Sequence, residues 1–138
     1  MGSSGYRLID HTADIALEVW GTSKQLVFEQ AAYAIIDQLC EQPLPPSSDS
    51  RTVSLVGLDD ADLLVRWLNE ILWLATEKGF LLTQAIVDVQ DQSLHAVIFG
   101  LPQAYPLITT EIKSATYHNL QLNQPSEDRW IARVVLDV

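Results

Sequence analysis

Trp130-Ile131-Ala132-Arg133-Val134-Val135-Leu136-Asp137 alternates with the period of two that a half-buried strand needs, and Trp130, Ala132, Val134 and Leu136 mark its buried face. Upstream, Pro125-Ser126-Glu127-Asp128 is a turn sequence and residues 117–123 alternate in the same way, so the two segments are expected to pair as an antiparallel hairpin. With the turn centred near residues 126 and 127, facing residues have numbers that sum to about 253. Asp137 then falls opposite Thr116 and Tyr117. The segment Glu111-Ile112-Lys113-Ser114-Ala115-Thr116-Tyr117-His118 is thereby brought beside Asp137 and the α-carboxylate of Val138.

A second hairpin is expected in residues 85–89 and 94–99 around Gln90-Asp91-Gln92-Ser93, stopped by Gly100 and Pro102. Nearer the start, residues 6–9 and 15–20 read as short strands, and residues 51–58 as another. Thr22 and Gln25 form a capping box that opens a helix running to about residue 40, with Leu26, Ala31, Ile35 and Leu39 on one stripe. Pro43-Leu44-Pro45-Pro46-Ser47-Ser48 ends it, as an exposed loop and not a domain boundary. The strongest helical pattern follows. Leu64, Trp67, Leu68, Ile71, Leu72 and Ala75 keep the i, i+3, i+4 spacing, Asp59 and Asp60 favour the N-terminus, and Gly79 caps the end. Val65, Asn69 and Trp73 make a separate stripe, either the flank of a wide buried face or a partner surface.

This order predicts an α+β fold: a two-layer sandwich of mainly antiparallel sheet with two long helices packed on one face. The length suits one domain over residues 1–138. Residues 1–5 are small and polar, and read as a disordered start or a cloning scar. Hydrophobic residues at 48% with four Trp argue for a packed core, not disorder. Lone Cys40 allows no internal disulfide and reads as a small buried hydrophobe. Without an apolar run of spanning length or an export leader, a soluble cytoplasmic protein is expected. The formal net charge of -10 repels polyphosphate and anionic membranes, so strong direct nucleic-acid binding and membrane binding are not expected.

The polar groups converge on one end of the sheet. His11-Thr12-Ala13-Asp14 stands at the mouth of the strand 15–20. If Asp14 joins Asp137 and the Val138 carboxylate, the three supply hard oxygen ligands for Ca²⁺, Mg²⁺ or Mn²⁺. No Cys-rich or closely spaced His motif supports zinc. Each residue also has a plainer explanation: a turn for the tetrad, a solvated strand end for Asp137, a backbone-bonded edge-strand histidine for His118, a counter-ion to the carboxylates for Lys113. There is no Gly-x-Ser-x-Gly elbow, no nucleophile recognisably matched with a histidine, and no glycine-rich phosphate loop, which leaves little case for an enzyme.

Taken in order, His11-Thr12-Ala13-Asp14, Leu63-Leu64-Val65-x-Trp67-Leu68-Asn69-Glu70-Ile71-Leu72, Glu111-Ile112-Lys113-Ser114-Ala115-Thr116-Tyr117-His118 and the ending Leu136-Asp137-Val138 resemble the archease family, from about residue 6 to the last. Ser114 departs from the small apolar residue of many members. The resemblance implies a compact α/β sandwich and a non-catalytic, metal-binding activator of the tRNA-splicing RNA ligase. That ligase joins 2′,3′-cyclic-phosphate or 3′-phosphate RNA ends to 5′-hydroxyl ends, and the activator promotes its guanylylation by GTP and its multiple turnover. Asp14, Asp137 and Val138 correspond to the family's metal positions; His11, Thr12, Lys113, Thr116 and His118 fall in its motif segments. Two other readings stand beside it. One is a metal-dependent phosphoesterase with His11 or His118 as general acid or base; the other is a chaperone-like module for RNA-processing proteins, centred on the Trp73 stripe.

Overall fold

A computed structural model of the chain describes residues 3–10 and 14–138. Among these residues the order is β1 (Gly5–Asp10), β2 (Ile15–Gly21), α1 (Lys24–Leu39), β3 (Asp49–Val56), α2 (Asp60–Lys78), β4 (Leu81–Gln90), β5 (Ser93–Leu101), a 3-10 turn (Tyr105–Leu107), β6 (Ser114–Ala115), β7 (Gln121–Ser126) and β8 (Arg129–Asp137). The α+β class holds, with the strands divided into two antiparallel sheets. One follows the order β1-β2-β8-β6, with β7 also on β8; the other is β3-β5-β4.

β8 is the axis of the first sheet. Ala132, Val134 and Leu136 are buried, as the alternation requires, and Trp130 packs against the core from its edge. β2 lies along one side of it, while β7 and β6 follow each other along the other. The register differs from the simple hairpin. Asp137 pairs with Ser114, two residues short of Thr116. A register shift between Asn123 and Ser126 and a turn at Tyr117-His118-Asn119-Leu120 take up the difference. In that turn Asn119 is left-handed (φ 53) and the Leu120 N–H reaches the Tyr117 carbonyl. Residues 117–120 are therefore loop, and β7 begins only at Gln121.

The helices form where their caps allow. Ser23, one residue beyond the expected Thr22, caps α1 by accepting from the Leu26 N–H at 3.2 Å. Asp59 caps α2 through the Asp62 N–H at 2.7 Å, and Gly79 closes it at φ 68. A Cβ there would also meet the Tyr105 ring at 2.6 Å, so the position is closed to other residues on two grounds. Gly57 and Leu58, expected to extend β3, instead lead into α2; the Leu58 N–H donates to Asp62 Oδ2.

α1 packs against β4 of one sheet and β2 of the other, and α2 against β6 and β4, so one apolar core joins both sheets. Trp67 is fully buried, and its Nε1–H donates to the Phe28 carbonyl of α1 at 2.9 Å. The free edge of β4 is capped by α1: Tyr33 Oη donates to the Ala85 carbonyl and accepts from its N–H, and the Val87 N–H donates to Glu29. Cys40 is buried, as expected of a small hydrophobe. Among the described residues no helix is long and apolar enough to cross a membrane.

Candidate metal centre

The end of β8 sits between β2 and β6. Ile15 pairs with Leu136, and Ser114 pairs with Asp137 on the other side of β8; the β2 register, continued by one residue beyond the strand, would set Asp14 across from Asp137. Residues opposite each other on adjacent antiparallel strands have Cα atoms about 4.5–5.5 Å apart and share a face. By alternation the row Asp14, Asp137 and Ser114 lies on the face turned away from Ile15, Leu136 and Ala115, which pack into the core. Ala16 and Val135, 1% and 3% exposed in the next row, give that face an apolar floor. Asp14 is half-buried, Asp137 is exposed, and Val138 is 40% exposed.

In that arrangement two carboxylates beside a serine hydroxyl would form a hard-oxygen set, with strand spacing short enough for both to reach one ion at about 2.3–2.6 Å. The set is incomplete as a cage. Among the described residues no group of three or more His, Cys, Asp or Glu comes together. An ion of about six to eight ligands would therefore take its remaining oxygens from hydroxyls, water or a partner.

The motif segment 111–118 is bound to its surroundings chiefly through backbone. The Lys113 N–H donates to the Asp137 carbonyl (2.8 Å), and both the Thr116 N–H and its Oγ1–H donate to the Val135 carbonyl (2.9 Å each). Thr116 Oγ1 also accepts from the His118 N–H at 3.3 Å. His118 stands in a turn, not on the expected edge strand, with Nε2 3.4 Å from Asn119 Nδ2. Lys113 is exposed, and none of the ion pairs among the described residues includes it. His11 and Thr12 lie outside the described residues.

Two anchors from α2 were not foreseen. The Asn69 carboxamide donates to the Ala115 carbonyl (3.1 Å) and accepts from its N–H (2.8 Å). Tyr117 donates to Asp62 Oδ1 at 2.6 Å, while Asp62 Oδ2 accepts from the Leu58 N–H (2.8 Å) and Arg66 Nε (2.7 Å). A polar residue inside an apolar helical flank was the available signal for Asn69; Asp62 was concealed because a carboxylate in a first helical turn needs no other reason.

Asp62 is 7% exposed, and the Tyr117 hydroxyl, the Leu58 N–H and Arg66 outweigh burial to hold its carboxyl at about 2, against an ordinary 3.8. Since the folded form binds the proton less readily than the unfolded chain, its contribution is present above the ordinary value and lost as pH falls through the depressed one. Stability should drop by roughly 2 kcal/mol between about pH 4 and pH 2 on this account. Urea unfolding across that window checks it: Asp62→Asn should flatten the slope, and an unchanged slope would rule the network out as its source.

The second sheet holds an unforeseen pair, Ser54 Oγ and His95 Nδ1 at 3.0 Å, with Asp88 in register opposite His95. All three are exposed on an open sheet face. Without a desolvated pocket such a row does not activate a serine.

The Archease protein family matches residues 6–138. The protein archease of Methanosarcina barkeri is 32% identical, the match covering 100% of both chains, and that of Archaeoglobus fulgidus is 31% identical over 96% of this chain and 98% of its own. In structure, the chain is similar to Methanobacterium thermoautotrophicum protein 1598, with a TM-score of 0.75, 25% identity and coverage of 97% and 99%. It also shares the fold of "an archease, possible chaperone" from Thermotoga maritima, with a TM-score of 0.67, 22% identity and 94% of each chain covered. With four sequence motifs in order, a matching fold and relatives matched from end to end, the chain belongs to the archease family.

Proposed function

We propose that this protein is a non-catalytic, cation-binding activator of a tRNA-splicing RNA ligase, promoting the ligase's guanylylation by GTP and its multiple turnover. The observation that supports this most is the register of β2 on β8, one residue short of Asp14 against Asp137. In this reading Asp14 and Asp137 hold Ca²⁺, Mg²⁺ or Mn²⁺, with Val138 and the Ser114 hydroxyl as further donors. When bound, the ion supplies positive charge against a polyphosphate. The protein's part is to hold those oxygens on a rigid strand end and present them to the ligase. A net charge of -10 suits a basic protein partner better than RNA itself, and a lone buried Cys40 suits the cytoplasm.

The test is ligation of a cyclic-phosphate RNA by the cognate ligase with and without this protein. Guanylylated ligase and repeated turnover are expected only in its presence, and no phosphate ester should be hydrolysed by the protein alone. Equal ligation in both arms contradicts the proposal, and hydrolysis by the isolated protein would favour a phosphoesterase. A chaperone-like module has one feature in its favour: Trp73 is 46% exposed, with Lys78 Nζ 5.2 Å from its ring centroid. On that reading Trp73→Ala abolishes partner binding and Asp137→Asn leaves it intact.

A further inference from the structure

β6 has two residues, Ser114 and Ala115, and lies at the end of the sheet order. So short an edge strand has little ladder to fix its own register. Yet register matters more here than elsewhere in the sheet, because a slip by one residue exchanges the two faces. Ser114 now shares the face of Asp137, with Thr116 beside Val135 in the next row. Slipped by one, Lys113 or Ala115 would stand in place of Ser114. Lys113 would bring an ammonium to the carboxylates, where it competes with any divalent cation, and Ala115 would bring no oxygen at all.

The fold supplies a device against that slip. In a strand a residue's N–H and C=O point to the same side, and those of Ala115 face away from β8, where a further strand would pair with them. Asn69 of α2 stands there instead, its carboxamide satisfying both groups at once. A carboxamide fits this donor–acceptor pair; a carboxylate of the same reach accepts from the N–H but has nothing to donate to the C=O. Ala115 is 4% exposed, so water cannot easily replace the lost partner. The Tyr117 hydroxyl on Asp62 fastens the chain two residues further on, to the first turn of the same helix.

We infer that Asn69 is a positioning residue for the cation site: by clamping Ala115 it fixes the register of β6 on β8, so that Ser114, not Lys113, faces Asp137. This rests on the proposed cation site and concerns what sets its affinity. It would make α2 a determinant of cation binding although none of its residues is a ligand.

The experiment is calorimetric titration of the full chain with Ca²⁺, using wild type, Asn69→Ala, Val65→Ala and Asp137→Asn, with a melting curve for each. Val65, one turn before Asn69 on the same helix flank, is fully buried, so its truncation loosens α2 without touching the clamp. Asn69→Ala is expected to weaken Ca²⁺ binding at least about tenfold, and Val65→Ala, though destabilising, to leave it within about twofold. Cross-strand NMR contacts between Ser114 and Asp137 should be lost in Asn69→Ala and kept in Val65→Ala. If Asn69→Ala does not fold, Asn69→Asp, which keeps the acceptor for the Ala115 N–H and loses the donor, should show the same weakening. Wild-type affinity in the Asn69 variant while Asp137→Asn abolishes binding overturns the inference alone, as does equal weakening by Asn69→Ala and Val65→Ala. Undiminished binding by Asp137→Asn overturns the cation site itself, and the inference with it.

Discussion

Trp67→Ala is expected to remove most of the protein's stability. The indole is fully buried where α2 meets α1, and it is the largest of the fully buried side chains. Truncating such a side chain costs about 3–5 kcal/mol through lost transfer energy and the cavity left behind. Its Nε1–H also satisfies the Phe28 carbonyl, within a helix whose Phe28, Ala31 and Ala32 are fully buried. An orphaned buried acceptor adds roughly 1–3 kcal/mol. Together these approach the whole stability of an ordinary domain, about 5–15 kcal/mol. Trp67→Phe helps to separate the two contributions, because it removes the hydrogen bond while keeping a large part of the buried ring volume. Denaturant unfolding of both variants is the check. A loss below about 1 kcal/mol for Trp67→Ala would mean that the helix contact does not carry the core.

The second large effect concerns activity. Asp14→Asn and Asp137→Asn, each nearly isosteric, are expected to reduce stimulation of ligase guanylylation by on the order of a hundredfold, about 2.7 kcal/mol. The double variant should be little worse than either single one, because two ligands to one ion act as a unit. Stability should move the other way. Without a cation, two like charges facing across antiparallel strands repel, so either substitution should raise the melting temperature of the metal-free protein. An activity loss accompanied by lowered stability would point to misfolding. Undiminished stimulation would refute the role of the carboxylates.

Much of this was legible in the residues. The period of two in residues 130–137 and the helical stripe from Leu64 to Ala75 identified the central strand and α2, because both bury one face against a core that joins them. Asp59 and Gly79 fixed the ends of α2, since a carboxylate cap and a left-handed glycine leave little choice. What could not be read was register. A hairpin sum counts residues between strands and cannot see those absorbed by a bulge at Asn123 or a left-handed Asn119, so Ser114 was missed as the partner of Asp137. Division into two sheets was hidden for a related reason: alternation tells which face of a strand is buried, but not which strand lies beside it. The anchors Asn69 and Asp62 depend on contacts across 46 and 55 residues, which no local pattern encodes.

Asp14 and Asp137 holding one cation is the claim on which the proposed activity depends. Crystals of the protein soaked in Mn²⁺ and measured near the manganese absorption edge test it without a ligase. An anomalous peak is expected at the end of β8, with a carboxylate oxygen of each aspartate about 2.1–2.6 Å away, and it should disappear in Asp137→Asn. A well-ordered site with no peak, or a peak bound by one aspartate while the other points elsewhere, would contradict it.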